Sequence, residues 1–438
     1  MSTRFVTIDR TTPMLLPADL REWIADDDLA HFVLEAVEGC DLHRAAVNAR
    51  GTGSEQYPPA MMLAVLVYCY ASGVFSSRGI EQATYRHLSV RYLSGDTHPD
   101  HDTIAKFRRE NAPLIESVFV QVLELARELG LGRLGTVSID GTKLRAHASK
   151  RATRTEAEVQ QELALLRQQV DQLLAHAAQA DATDSDDGTR LPSALADRQA
   201  RRTQLEAARQ RLAEHTRQRA AQRQAEQGYP PDQPGRPPRR LPAEPRPTDR
   251  VNTTDPDSAL MPTAREGFIQ GYNAQLAVSA DSGLIVAARV CDEPGDRRQL
   301  LPTVAAIPSS LGCPTAVLAD TGFDNQRQIA QVERRGQTVV YCCAQPVAQS
   351  STTGWQPRGH QRRTAEARAR MRQRLESPAG RALYRLRAIT VEPVIGILKS
   401  VLGFRQFHLR GLTRVQTEWQ LLALAFNCRR LAKHNSLR

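Results

Sequence analysis

Two strand-like stretches of this chain are separated by a long segment that cannot lie in the same sheet. The first, "LGTVSIDGTKLRA" at 134–146, alternates apolar and polar residues and is rich in β-branched positions. The second, "GFIQGYNAQLAVSADSGLIVAARVCD" at 267–292, reads as two strands around the turn "SADSG". Between them Val159, Leu163, Leu166, Val170 and Leu173 follow a 4-3-4-3 spacing, the seam of a coiled coil. "TDSDDGTRLPS" reads as a turn, and Leu205, Ala208 and Leu212 resume the pattern on an Arg/Gln-rich helix. "YPPDQPGRPPRRLPAEPRP" at 229–247 then reads as a linker without a packed core. Any sheet must therefore pair strands from both sides of an inserted helical hairpin.

The flanks complete this expectation. Residues 1–130 read as a helical domain, with "MMLAVLVYCYASGVFSSRGI" as one helix and "TIAKFRRENAPLIESVFVQVLELARELG" as another. His98, Asp100, His101 and Asp102 between them form a polar turn, with Asp102 or Thr103 expected to cap the next helix; the rival reading is a metal site. After the second strand region come "QLLPTVAAIPSSLG" (helix), "TAVLAD" (strand), "QRQIAQVERRG" (helix), "QTVVYCCA" (strand) and the closing helix "EWQLLALAFNCRRLAKH". The fold class is a mixed α/β sheet with flanking helices, built from 131–150 and 251–438, preceded by an all-helical domain and interrupted by the 151–250 insertion.

Charge narrows the partners. Lys and Arg total 58 against 48 Asp and Glu, a formal charge of +10, which favours a polyanion such as nucleic acid. The seven cysteines are odd in number and have no C-x-x-C pair, which points to a reducing cytoplasm and to no zinc site. No signal peptide or membrane-length apolar run is expected, so the chain reads as soluble.

Three acids then stand out. Asp140 is expected at the end of the first strand, Asp320 ends "TAVLAD", and Glu392 lies in the basic stretch "YRLRAITVEPVIGILKS", where Val391, Val394, Ile395 and Leu398 mark one buried helical face. Pro393 suits a first helical turn capped by Thr390, with Arg385 ahead of the helix. Singly, an Asp before Gly is a common turn residue. Together, three converging carboxylates repel one another unless a cation joins them, and hard oxygen donors select Mg²⁺ or Mn²⁺.

"VSIDGTKLRAHAS", "DPDS" at 255–258, "GYNAQLAVSADSGLIVA", "LADTGFDN" and "YRLRAITVEPVIGILKSVLGFRQFHLRGLTRVQTEWQLLALAFN" together resemble the DDE-type insertion-sequence transposases, and "DHDTIAKFRREN" resembles the helical domain preceding their core. The resemblance implies an RNase H-like core in which Asp140, Asp320 and Glu392 bind two Mg²⁺ or Mn²⁺ ions. Tyr384, Arg387, Glu392 and Lys399 match the family's tyrosine, arginine, glutamate and lysine signature. Arg387, Lys399, Arg405 and Arg410 are the expected phosphate contacts, with Tyr384 beside them. The implied activity is cleavage at element ends in double-stranded DNA, followed by joining of the 3′-hydroxyl to target DNA. A homodimer or larger assembly in a bacterial cell would hold two ends. A relative that binds DNA without transposing it is the alternative. The family's usual Asn-Asp is here Gly295-Asp296, and Asp292 and Asp296 receive no role from sequence.

Overall fold

A computed structural model of the chain describes residues 18–48, 55–131, 134–183, 191–227, 243–263, 266–334, 338–343 and 360–435. The turn after the first hairpin helix and most of the Pro-rich stretch lie outside these residues. The chain packs into two compact units, one formed by 1–126 with 421–438 and the other by 127–420.

The first unit is helical: α1 (Leu29–Glu38), α2 (Pro59–Ala71), α3 (Ser77–Arg86), α4 (Leu88–Leu93), α5 (His101–Glu110) and α6 (Ala112–Glu128). Where one apolar helix was expected over 61–80 there are two. Gly73, at φ 83°, ends the first, and the Ser76 hydroxyl accepts from Gly79 N at 3.0 Å to begin the next. The other expected long helix breaks at Asn111, and Pro113 sits in the first turn of α6, where a missing N–H is tolerated. Buried Arg108 ties the unit together, donating to Tyr70 Oη and Phe75 O at 2.8 Å and to Ser77 Oγ at 2.6 Å. Asp100, not Asp102 or Thr103, caps α5, accepting from Thr103 N at 2.6 Å. His101 reaches Glu81 at 2.9 Å and His98 reaches Thr84 at 3.1 Å, so this cluster spends its polar atoms on packing.

The second unit contains β1 (Thr136–Arg145), β2 (Thr153–Thr155), α7 (Glu156–Thr183), α8 (Leu191–Gln227), β3 (Arg250–Asn252), β4 (Ala259–Thr263), β5 (Gly267–Ser279), β6 (Ile285–Cys291), α9 (Leu300–Ala305), β7 (Ala316–Ala319), α10 (Gln326–Arg334), β8 (Val339–Cys342), α11 (His360–Glu376) and α12 (Pro378–Gly396). The last helix, α13 (Leu412–Asn435), contributes residues to both units. Strand order is β4-β5-β1-β7-β8, with β6 also on β5. β4, β6 and β1 run antiparallel to β5, whereas β7 runs parallel to β1 and β8 parallel to β7. Four antiparallel strands joined to two parallel ones, with helices around them, fit an RNase H-like fold.

β1 and β5 pair from Val137↔Ser279 to Arg145↔Gly271, so strands from either side of the insertion are direct neighbours. The insertion closes on itself. β2 and β3 pair at its neck, and Val159, Leu163 and Leu166 of α7 pack against Leu205, Ala208 and Leu212 of α8 and against Val251. Polar pairs fix an antiparallel register: Arg209 with Glu156 at 2.7 Å, Arg201 with Glu162 at 2.7 Å and Arg198 with Gln169 at 3.2 Å. On the edge of β6, Gln416 substitutes for a further strand, accepting from Val290 N and donating to Ala288 O, both at 2.8 Å.

Candidate active site

Asp140 sits inside β1 rather than at its end. The parallel ladder with β7 stops at Ser138↔Leu318, while pairing with β5 continues to Arg145. Asp140 therefore stands where β1 parts from β7, and Asp320 follows the last residue of β7. Gly141 continues the strand because it must be small: a Cβ there would lie 2.3 Å from Gln275 Nε2 and 2.6 Å from Asp296 Oδ1. Asp320 also does what an Asp-Thr-Gly turn predicts, accepting from Gly322 N at 2.8 Å.

Glu392 arrives on α12. The helix does not begin near Pro393 as the sequence reading expects; it starts at Pro378, capped by Ser377, and carries Pro393 in its interior. Thr390 is no cap, because its hydroxyl donates to Leu386 O at 2.5 Å, and Arg385 lies within the helix. A proline here leaves Ile389 without an i+4 donor, a loss tolerable at a position where Ile389 is 72% exposed. Beyond it, Ile397–Val401 form a π-turn that carries Lys399.

One guanidinium joins the three acids. Arg387 Nη2 lies 3.0 Å from Asp140 Oδ2 and 3.9 Å from Asp320 Oδ2, and its Nη1 lies 3.0 Å from Glu392 Oε1. Burial raises the Asp140 carboxyl to about 6; Arg387 and the Gly141 N–H oppose the rise, while Asp320 and Asp296 add to it. Lys399 Nζ donates to Thr142 Oγ1 at 3.0 Å, on the same strand face as Asp140 two residues away. Tyr384 Oη donates to Ala319 O at 3.3 Å beside Asp320, and burial pushes its phenol up to about 12. Arg405 donates to Lys399 O at 3.1 Å and Arg410 to His147 O at 2.8 Å; both arginines remain exposed. Interleaved Phe404 and Phe407 are core, packed with Tyr272 and Trp419, and so are not free to stack on a base.

The sequence reading left Asp296 without a role, yet it adjoins the acids. It accepts from Lys143 Nζ at 3.1 Å and from Asn273 Nδ2 and Gln275 Nε2 at 2.7 Å. The readable signal was Asn273 and Gln275, two amides at alternate positions inside an otherwise buried strand.

Among the described residues, no group of three or more His, Cys, Asp or Glu side chains is gathered closely enough to hold a metal ion. The three acids offer hard carboxylate oxygens, the donor type that suits Mg²⁺ or Mn²⁺, and the cation beside them is the Arg387 guanidinium. No helix of the described residues is long and apolar enough to cross a membrane.

The model of the transposase DDE domain, a family of enzymes that cleave DNA and transfer its strands, matches residues 250–428, a range that includes Asp320 and Glu392 but not Asp140. A second transposase domain model, DUF772, matches residues 18–110. The two matches together are consistent with a DDE transposase of insertion-sequence type. Searches of curated proteins and of solved structures find no match.

Proposed function

We propose that Asp140, Asp320 and Glu392 are the catalytic acids, and that together they hold two Mg²⁺ or Mn²⁺ ions during cleavage of element ends and joining to target DNA. The observation that carries this reading is the meeting of all three carboxylates on Arg387. Bound there, divalent cations would activate a hydroxyl nucleophile and neutralise the leaving oxygen of a phosphodiester. The chain's own residues do the rest. Arg387 exchanges its carboxylate partners for a DNA phosphate, to which its planar fork is equally suited. Lys399, held on Thr142 beside Asp140, fixes the backbone next to the reacting phosphate. Tyr384, anchored on Ala319 O, keeps α12 in register with the end of β7. Arg405 and Arg410 extend the phosphate track.

In this reading 1–130 is the helical DNA-engaging domain, 131–150 with 251–438 the catalytic domain, and 151–250 an accessory insertion. The protein works as a homodimer or larger assembly, because two element ends must be held at once. The test is strand cleavage on DNA carrying the element ends with Mg²⁺. Asp320→Asn and Glu392→Gln should lose cleavage while retaining DNA binding; an Asp320→Asn protein that cuts at the normal rate would falsify the assignment. Lys399→Ala and Arg410→Ala should each reduce the slope of log affinity against log salt by about 0.9.

A further inference from the structure

The loop at 292–299, which brings Asp296 to the acids, lines a cavity with α8 and β6. Its volume is about 310 Å³, ample for a tetrahedral anion. Most of the charges around it are matched. Arg219 meets Asp292 at 2.6 Å, Arg298 meets Glu293 at 3.3 Å, and Arg211 pairs with Asp257. His215 stands between Asp257 at 3.4 Å and Asp292 at 3.6 Å. Arg289 is different. Its Nη1 is buried with no hydrogen-bond partner, and among the described residues no carboxylate pairs with its guanidinium. In the β5–β6 register it stands opposite Gln275, whose side-chain amide oxygen Oε1 is also buried and unpaired, so neither satisfies the other.

A guanidinium stays charged throughout the working pH range, so it cannot escape this position by losing its proton. Burial of an unpaired guanidinium nitrogen lowers stability, and an oxyanion seated on the guanidinium fork would restore it. The Gln218 and Gln222 amides also line the cavity and offer donors to further oxygens. A carboxylate has two acceptor oxygens, whereas a phosphate can use the fork and the amides together.

We infer that the cavity between α8 and β6 is a phosphate-binding site centred on Arg289, separate from the three acids. It does not depend on the catalytic reading, since a chain that cut no DNA would still bind phosphate there. The phosphate is either part of a DNA backbone or a free inorganic ion, and the experiment separates the two.

Full-length protein is melted in sodium chloride and in sodium phosphate at equal ionic strength, as wild type, Arg289→Gln and Arg289→Lys. Phosphate should raise the wild-type Tm in a saturable manner. Arg289→Gln should melt above wild type in chloride, because the unpaired charge is gone, and should lose the phosphate-dependent rise. Arg289→Lys, which keeps the charge without the fork, should show a reduced rise and provides the check should the glutamine variant fold poorly. Salt titrations on a duplex of arbitrary sequence then assign the source. A slope smaller by about 0.9 in Arg289→Gln identifies a DNA phosphate, and an unchanged slope identifies the free ion. A phosphate-dependent rise that is absent from wild type, or that persists in Arg289→Gln, overturns the site.

Discussion

Arg387 holds three carboxylates that would otherwise face one another across the end of the parallel strands. Removing it should therefore harm the ion-free protein most. Arg387→Gln is expected to lose about 1–3 kcal/mol in urea unfolding with a chelator present, a range set by the partial exposure of Glu392 and Asp320. Mg²⁺ should restore more of the lost stability than it adds to wild type; equal Mg²⁺ effects on both would refute the counter-ion role. Asp140 carries a related signature. An unfolded Asp titrates near 3.9, whereas the folded group is raised to about 6, chiefly by burial. Above pH 6 both states are ionised, and the folded state bears the full penalty, on the order of 3 kcal/mol. Between pH 6 and about 4 the folded state takes up the proton first, so this group's contribution to stability improves as pH falls. Asp140→Asn should then be more stable than wild type at pH 7, with the gap shrinking toward pH 4. A gap independent of pH would show that Asp140 is not shifted.

The elements that position these residues were legible to different degrees. The alternation around Asp140 announced β1, and the short apolar run in "TAVLAD" announced β7, a strand buried at every position. Asp140-Gly141 misled, since a glycine needed for close approach to Gln275 looks in sequence like a glycine needed for a turn. Pro393 misled for the opposite reason: its missing N–H falls on the exposed side of α12, where the lost bond is cheap, and no local signal reports exposure. Arg387 as the common partner of three acids was invisible, because the contact spans β1, β7 and α12. Gly271 offers a sharper test of the β1–β5 register. A Cβ there would lie 2.2 Å from Leu144 O, and backbone cannot yield as a side-chain tip would. Gly271→Ala should cost about 3 kcal/mol or more in urea unfolding. A loss below about 0.5 kcal/mol, typical of an unconstrained surface site, would mean the strands are not so closely paired.

At the scale of the whole molecule the α7–α8 hairpin is anchored as well as inserted. Arg211 and His215 hold Asp257, which also accepts from Leu412 N at 2.7 Å, and Arg219 holds Asp292. Burial works to raise the Asp257 carboxyl, yet the hydrogen bonds from His215, Arg211 and Leu412 together hold it well below the usual range. Replacing residues 157–248 by a short Gly/Ser linker should leave a chain that still unfolds cooperatively, at a lower Tm because Asp257 and Asp292 lose these partners. A non-cooperative melt with weak far-ultraviolet dichroism would show that the sheet cannot form without the hairpin. The β2–β3 neck also bears on how the chain is made. β1 leaves the ribosome more than a hundred residues before its neighbour β5, and must wait with both edges unpaired. The hairpin needs only local contacts, so it can fold during that wait, and closing its neck brings the nascent β1 close to where β5 will emerge. An insertion that divides the sheet in sequence thus shortens the search by which its two halves meet during translation.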